Sequence, residues 1–465
     1  MELLEKIVDY SLNLGADYVD VRFEEKHYEK ITVDNGVLKE YSITKASGLG
    51  VRVLVDGFMG FTSTNNLSWG NVRNTIQKAI ELAKALKNKG RRFELYPVKA
   101  VRDKRKSPYK INPFDVEPVE KVKLLLDLNK LALAKENIRS AITGYGALYD
   151  HKIYVSSEGA HIELDTVMTG ILQVSIAYWS GKMERVVDSK SRIAGYEFIK
   201  ETEWDDMVNK ASSLALEAVK ASTPPPGTYT VILAPEVVGL LLHEAFGHAS
   251  EGDIVDAGAS VLAGKIGKKV ASELVTVVDE GVVEGGKGYY HPYDDEGVPK
   301  GKTVIVENGV LKTFLTSRYI ARRLDLEPTG NGRAQDYAHT PIVRQTNYYI
   351  MPGDMKLEEL LEDVKYGLYV TGKGAMGGEV NTGTGTFTFS VGVSRVIRNG
   401  ELCEYVRGVS LSGSILETLK YIDGVGKDLV IRTNVFGGCG KGGQRVHVGH
   451  GGPHVRVKKI VVGGR

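Results

Sequence analysis

The sequence predicts an α+β protein of two domains, an antiparallel sheet flanked by helices in the N-terminal half and a strand-rich unit in the C-terminal half. Three observations carry this. The chain has 465 residues, more than one hydrophobic core usually serves. Thr223-Pro224-Pro225-Pro226-Gly227 interrupts it near the midpoint, and consecutive prolines donate no backbone hydrogen bonds and resist helix. Before that break, alternating segments are interleaved with long amphipathic ones. After it, short strands dominate and the 54 glycines thicken. The expected units are 1–222, a linker at 223–227, and 228–465.

Leu3, Leu4, Ile7, Val8, Tyr10 and Ser11-Leu12 form one face of an opening helix, closed by Gly15. Tyr18 to Phe23 reads as a strand. Residues 31–39 read as a hairpin, because Asn35-Gly36 supplies the positive φ of a type I′ turn. Gly50 to Val55 and Gly60 to Thr64 pair around Asp56-Gly57. Trp69 to Leu86 is helical, with Val72, Ile76, Ala79, Ile80, Leu82 and Ala83 inward. Residues 90–117 are irregular, and Lys104-Arg105-Lys106 within them is a solvated loop. Val119 to Lys135 is the next helix. Ser140 to Ile193 is strand-like, with turns at Gly146, Ser157-Glu158-Gly159 and Ser180-Gly181, and Glu203 to Ser222 is helical.

Beyond the prolines, Thr228 to Leu233 is a buried strand. Pro235 opens a helix through Val237, Val238, Leu240, Leu241 and Leu242. Two more Asn-Gly hairpins follow, at 304–312 and 396–402. Leu357 to Val364 and Ser414 to Tyr421 are short helices. A glycine-rich loop at 436–444 precedes a last strand, Val455 to Val461. Gly372-Lys373-Gly374-Ala375-Met376-Gly377 matches a dinucleotide-binding pattern in letters only, since strands follow it.

Composition excludes several classes. The 60 basic and 58 acidic residues nearly cancel, which gives no support for nucleic acid or an anionic membrane as partner. No apolar run reaches the roughly 18 residues of a membrane helix. Met1-Glu2-Leu3-Leu4-Glu5-Lys6 is acidic and amphipathic, unlike a signal peptide. Two cysteines, Cys403 and Cys439, cannot form a disulfide framework and suit a reducing cytoplasm. Cys403, in a predicted strand beside Glu401 and Tyr405, reads as structural.

The chemistry gathers at His243-Glu244-Ala245-Phe246-Gly247-His248, which ends the apolar helix. Two imidazoles can hold a divalent cation, and the carboxylate beside the first can take a proton from the water that cation activates. The spacing is H-E-x-x-x-H, and positions five apart diverge by about 140° around an α-helix. Either the helix widens in π fashion, or it breaks at Gly247 so that His248 swings back, which a glycine there favours. Two histidines leave a catalytic zinc one ligand short. Glu251 and Asp253 are near in sequence. Cys439 is distant, but it lies among glycines and offers a thiolate, which places it ahead of the carboxylates.

With these residues in view the chain is similar to the TldD/PmbA family of metalloproteases. The likeness runs through His243 to His248, Glu251-Gly252-Asp253, Asp294-Asp295-Glu296-Gly297, Pro328 to Arg333, Tyr337-Ala338-His339 and Cys439 to Gln444. The resemblance implies one zinc per chain held by His243, His248 and Cys439, with Glu244 as catalytic carboxylate. It implies cleavage of unfolded peptides in an enclosed cavity, by a dimer of like chains or of this chain with a paralogue lacking the motif. Arg333, Tyr337, His339 and His291 are candidates for contacts to the oxyanion or a substrate carboxylate. Fe²⁺ also suits a His₂Cys set. The alternatives are a non-catalytic peptide-binding subunit and an amidase or deacylase of small peptides.

Overall fold

A computed structural model describes residues 2–87 and 90–464, so Met1, Asn88, Lys89 and Arg465 lie outside the described residues. The N-terminal half opens with α1 (Glu2–Asn13). Then come β1 (Tyr18–Asp34), β2 (Val37–Val55), β3 (Phe58–Thr64) and α2 (Trp69–Ala85). β4 (Arg102–Lys106), α3 (Pro118–Leu133), β5 (Ile138–Ser156), β6 (His161–Trp179), β7 (Lys182–Arg192), α4 (Glu197–Glu201) and α5 (Trp204–Lys220) complete it. The strands form one sheet in the order β3-β2-β1-β5-β6-β4, with β7 also on β6. All pairings are antiparallel except β4 on β6.

Alternation along β1 assigns the two faces. Val19, Val21, Ile31 and Val33 point to the helices, where one cluster joins α1 and α2 and another joins α3 and α5. Asp20, Arg22 and Glu24 point to the other face and are buried there against the C-terminal half. Arg52 bridges Asp20 (2.5 Å) and Glu296 (2.7 Å) across that seam. Lys152 reaches Asp295 at 3.2 Å.

Several expectations change here. Tyr18 to Phe23 is only the start of a 17-residue strand. Gly146 is no turn: it lies inside β5, and its missing side chain admits Val435 and Phe436 from the other half. The basic run 104–106 is a strand on the sheet edge, paired through its backbone while its side chains stay solvated. Leu82, expected inward, is 49% exposed.

In the C-terminal half, Gly227–Leu233 pairs in parallel with Tyr366–Asn381 and antiparallel with Val455–Gly464. Thr386–Arg398 and Glu401–Ser414 continue the sheet, and the latter returns to Val455–Gly464. The ring closes, forming a five-stranded barrel to which Ile422–Val425 is added. Residues 372–377 lie within one of its strands. A second sheet runs 310–311, 302–307, 277–280, 347–350, 449–452, 430–433. The helix Pro235–Leu241 packs against both sheets, and its Val237, Val238 and Leu241 join the largest core cluster. The three Asn-Gly turns have positive φ at both central residues, Asn35, Asn308 and Asn399 lying between 46° and 49°. No helix is long and apolar enough to cross a membrane among the described residues.

Candidate metal centre

The helix that starts at Pro235 widens from Leu242 to Gly247 into a π turn. The His248 backbone N–H donates to the His243 carbonyl, five positions back. This repeat stacks residues that an α-helix would send apart, so the two rings meet with centroids 5.1 Å apart at 75°. The expected break at Gly247 does not occur. Gly247 keeps helical dihedrals, φ −60° and ψ −51°. Its missing side chain serves packing instead, since a Cβ there would strike the Gln345 amide. That amide donates to the His243 carbonyl at 3.0 Å.

The expected loop at 436–444 contains a hairpin, Cys439–Lys441 against Gln444–Val446, turning at Gly442 and Gly443 with φ 58° and 74°. The buried Arg344 guanidinium donates to the Cys439 carbonyl at 2.5 Å and fixes the hairpin from below. Cys439 Sγ comes 3.3 Å from His248 Nε2. Ligand atoms of His243, His248 and Cys439 all lie within 4.8 Å of one another. Zinc bonds of about 2.3 Å to sulfur and 2.1 Å to nitrogen, at tetrahedral angles, would separate S and N by about 3.6 Å, so the donor set fits such an ion. Burial pushes the Cys439 thiol up, but the neighbouring His243 and His248 imidazoles outweigh it and hold it at about 4. The sulfur is thus suited to act as a thiolate donor.

The two carboxylates that were open as ligands support the donors instead. Glu251, wholly buried, accepts from His248 Nδ1 at 2.9 Å and from the Lys441 ammonium at 2.9 Å. A bond at Nδ1 turns Nε2 toward Cys439 and sets the tautomer. Asp253 takes Lys441 at 2.6 Å. Glu244 stands beside the donors, its side chain 38% exposed and its Oε2 3.8 Å from His248 Nε2. His243 Nδ1 is buried with no hydrogen-bond partner among the described residues.

Arg333, Tyr337, His339 and His291 do not join the donor group. Arg333 is buried behind it, donating to the carbonyls of Gln345 (2.6 Å) and His447 (2.7 Å). Tyr337 docks on the N-terminal sheet, its N–H on Glu24 at 2.8 Å. His339 pairs with Asp336 at 2.6 Å, and its carbonyl accepts from Arg22. His291 is buried among Arg333, Asp295 and Lys300, and burial first, then Arg333, pushes its pKa well below the usual histidine value. Arg344, Gln345 and Lys441 escaped sequence reading, because each acts through a contact that only the fold creates. A second close group, His151, Glu163 and Asp165, sits on β5 and β6. His151 pairs there with Asp165 and Glu163 with Lys104.

A closed barrel that carries a His₂Cys donor set with an adjoining glutamate has the groups that a metal-dependent hydrolase uses. The family description of the PmbA/TldA metallopeptidase matches three stretches: domain 1 at 19–85, the central domain at 111–219 and the C-terminal domain at 226–464. The chain belongs to this PmbA/TldD family. It is 40% identical over 459 residues to a metalloprotease of Methanocaldococcus jannaschii, covering 98% of each chain. It is 32% identical over 463 residues to a zinc metalloprotease TldD homolog of Saccharolobus solfataricus, covering 99% of each. The crystal structure of TldE from Thermococcus kodakarensis shares the fold, with TM-score 0.83 at 20% identity over 99% of this chain and 100% of that one.

Proposed function

We propose that this chain is a zinc-dependent peptidase that hydrolyses unfolded peptides or protein segments. The observation that carries the reading is the meeting of His243, His248 and Cys439 within 4.8 Å, with Glu244 half-buried beside them, 3.8 Å from His248 Nε2. Zinc, when bound, makes water acidic enough to react near neutral pH and polarises the scissile carbonyl. Glu244 accepts the proton of the attacking water and returns it to the leaving amine. His248 is held in register by Glu251, and Cys439 by Arg344. Fe²⁺ is the other metal this donor set suits. The reading includes a cytoplasmic location, with both cysteines free. It also includes a dimer, formed with a second copy or with a paralogue lacking the motif.

The test is metal analysis coupled to cleavage of an unstructured peptide by the purified chain alone, with and without chelator. Zinc near one per chain and chelator-sensitive cleavage are expected. Glu244→Gln should keep the metal and lose about 10²–10⁴ of the rate. Full activity in that variant refutes the base. A metal-loaded chain that binds the peptide without cutting it favours a non-catalytic subunit.

A further inference from the structure

A further imidazole is packed against His243. The His450 ring lies 5.9 Å from the His243 ring, inclined by 48°. Its seat is cleared by glycines. A Cβ at Gly239 would collide with His450 Nδ1 and with Gly451, and one at Gly451 would strike the Val430 carbonyl. Gly239 precedes His243 by about one helical turn, so His450 lies along the helix face that carries the metal ligand. Strand Gly449–Gly452 is clamped between 347–350 and 430–433, which fixes its backbone on both sides.

Two atoms in this arrangement lack partners among the described residues. His243 Nδ1 and His450 Nδ1 are both buried and unbonded. Buried polar atoms of folded proteins are paired with protein or with ordered water. A metal-binding histidine donates its second ring N–H to a partner that sets its tautomer. Glu251 does this for His248, and no carboxylate does it for His243 among the described residues.

We propose that His450 is the positioning partner of His243: it takes the His243 Nδ1–H, through one shared water, on its own Nδ1. That water accepts from the His243 Nδ1–H and donates to His450 Nδ1, two contacts, within the range a buried water makes. His243 is thereby kept in the tautomer that leaves Nε2 as the donor atom.

The inference rests on the metal reading of the site, and cobalt titration separates the two. The full chain is stripped of metal, kept reduced, and titrated with Co²⁺ while the visible bands are followed. Wild type should bind and show a thiolate-to-cobalt band; no binding by wild type would overturn the metal reading itself. His450→Phe keeps the ring volume but has no ring nitrogen, and it should bind about 10–100-fold more weakly with shifted bands. His450→Asn, whose Oδ1 can stand where Nδ1 stood, should restore binding and spectrum. His450→Gln, whose amide reaches past that position, should not. Wild-type affinity and bands in His450→Phe or in His450→Gln would overturn the proposal, as would failure of His450→Asn to recover. Thermal unfolding of each metal-free variant verifies the fold, and Asn against Gln still decides if the Phe variant does not fold.

Discussion

Replacing Glu251 by glutamine removes a negative charge from a wholly buried position while preserving shape. One carboxylate oxygen, Oε2, accepts both His248 Nδ1 and Lys441 Nζ, each at 2.9 Å. A glutamine carbonyl in that place keeps the contacts but turns charge-assisted bonds into weaker ones. A charge-assisted bond contributes about 1.5–3 kcal/mol and a neutral one about half as much, so the hold on His248 falls by about 1–1.5 kcal/mol. That corresponds to about tenfold weaker zinc binding. Glu251→Ala removes the bond altogether and should weaken zinc by about 10–100-fold. Lys441 keeps Asp253 in either variant, so the cation is not stranded. The assay is competition for zinc against a chromophoric chelator under reducing conditions, with urea unfolding of the metal-free proteins as control. Wild-type affinity in both variants would show that Glu251 does not hold His248.

Other perturbations test the seam and the helix. Arg52→Met leaves Asp20 and Glu296 buried without their shared cation and should cost about 3–5 kcal/mol in urea unfolding; a negligible loss would mean that the seam opens to water. Gly247→Ala drives a Cβ into the Gln345 amide and should cost about 1–3 kcal/mol, with weaker zinc binding; an unchanged protein would show that the π turn has slack. Glu24 is raised to about 7 by burial first and Asp150 second. A folded pKa above the unfolded one gives stability that is complete below about 4.5, declines as pH rises toward 7, and is gone above it. Urea unfolding should therefore weaken by up to about 1.4 kcal/mol per pH unit between pH 5 and 7, and Glu24→Gln should flatten that slope; an equal slope in the variant would refute the assignment.

What the sequence discloses is mostly local. Asn35-Gly36, Asn308-Gly309 and Asn399-Gly400 announce their turns because the turn needs only those two residues. The His243–His248 spacing calls for a distortion and leaves two kinds open. Gln345, about a hundred residues away in the chain, packs on Gly247 and binds the His243 carbonyl in the π turn that forms, a contact that the helix sequence alone does not reveal. Gly146 misleads for the same reason. A glycine in an apolar alternation looks like a turn, but here it marks where Val435 and Phe436 press on the strand. Arg333 and His291 look like site residues because they are polar within conspicuous motifs. The fold buries both: Arg333 donates to the carbonyls of Gln345 and His447, and His291 lies beside Arg333, Asp295 and Lys300. His450 carries no spacing signal, and only its glycine neighbours hint that something bulky is being seated.

The closing strand of the barrel imposes an order of events. Gly227–Leu233 is made early in its half, but its antiparallel partner Val455–Gly464 follows only after nearly half the chain's length. Such distant pairing is slow to form, because loop entropy is lost before contacts repay it. Cys439 lies just upstream of that partner strand, and so arrives after the histidines it joins. A nascent chain can therefore expose His243, Glu244 and His248 without their thiolate. The three-donor group is therefore complete only once the chain that closes the barrel has been made.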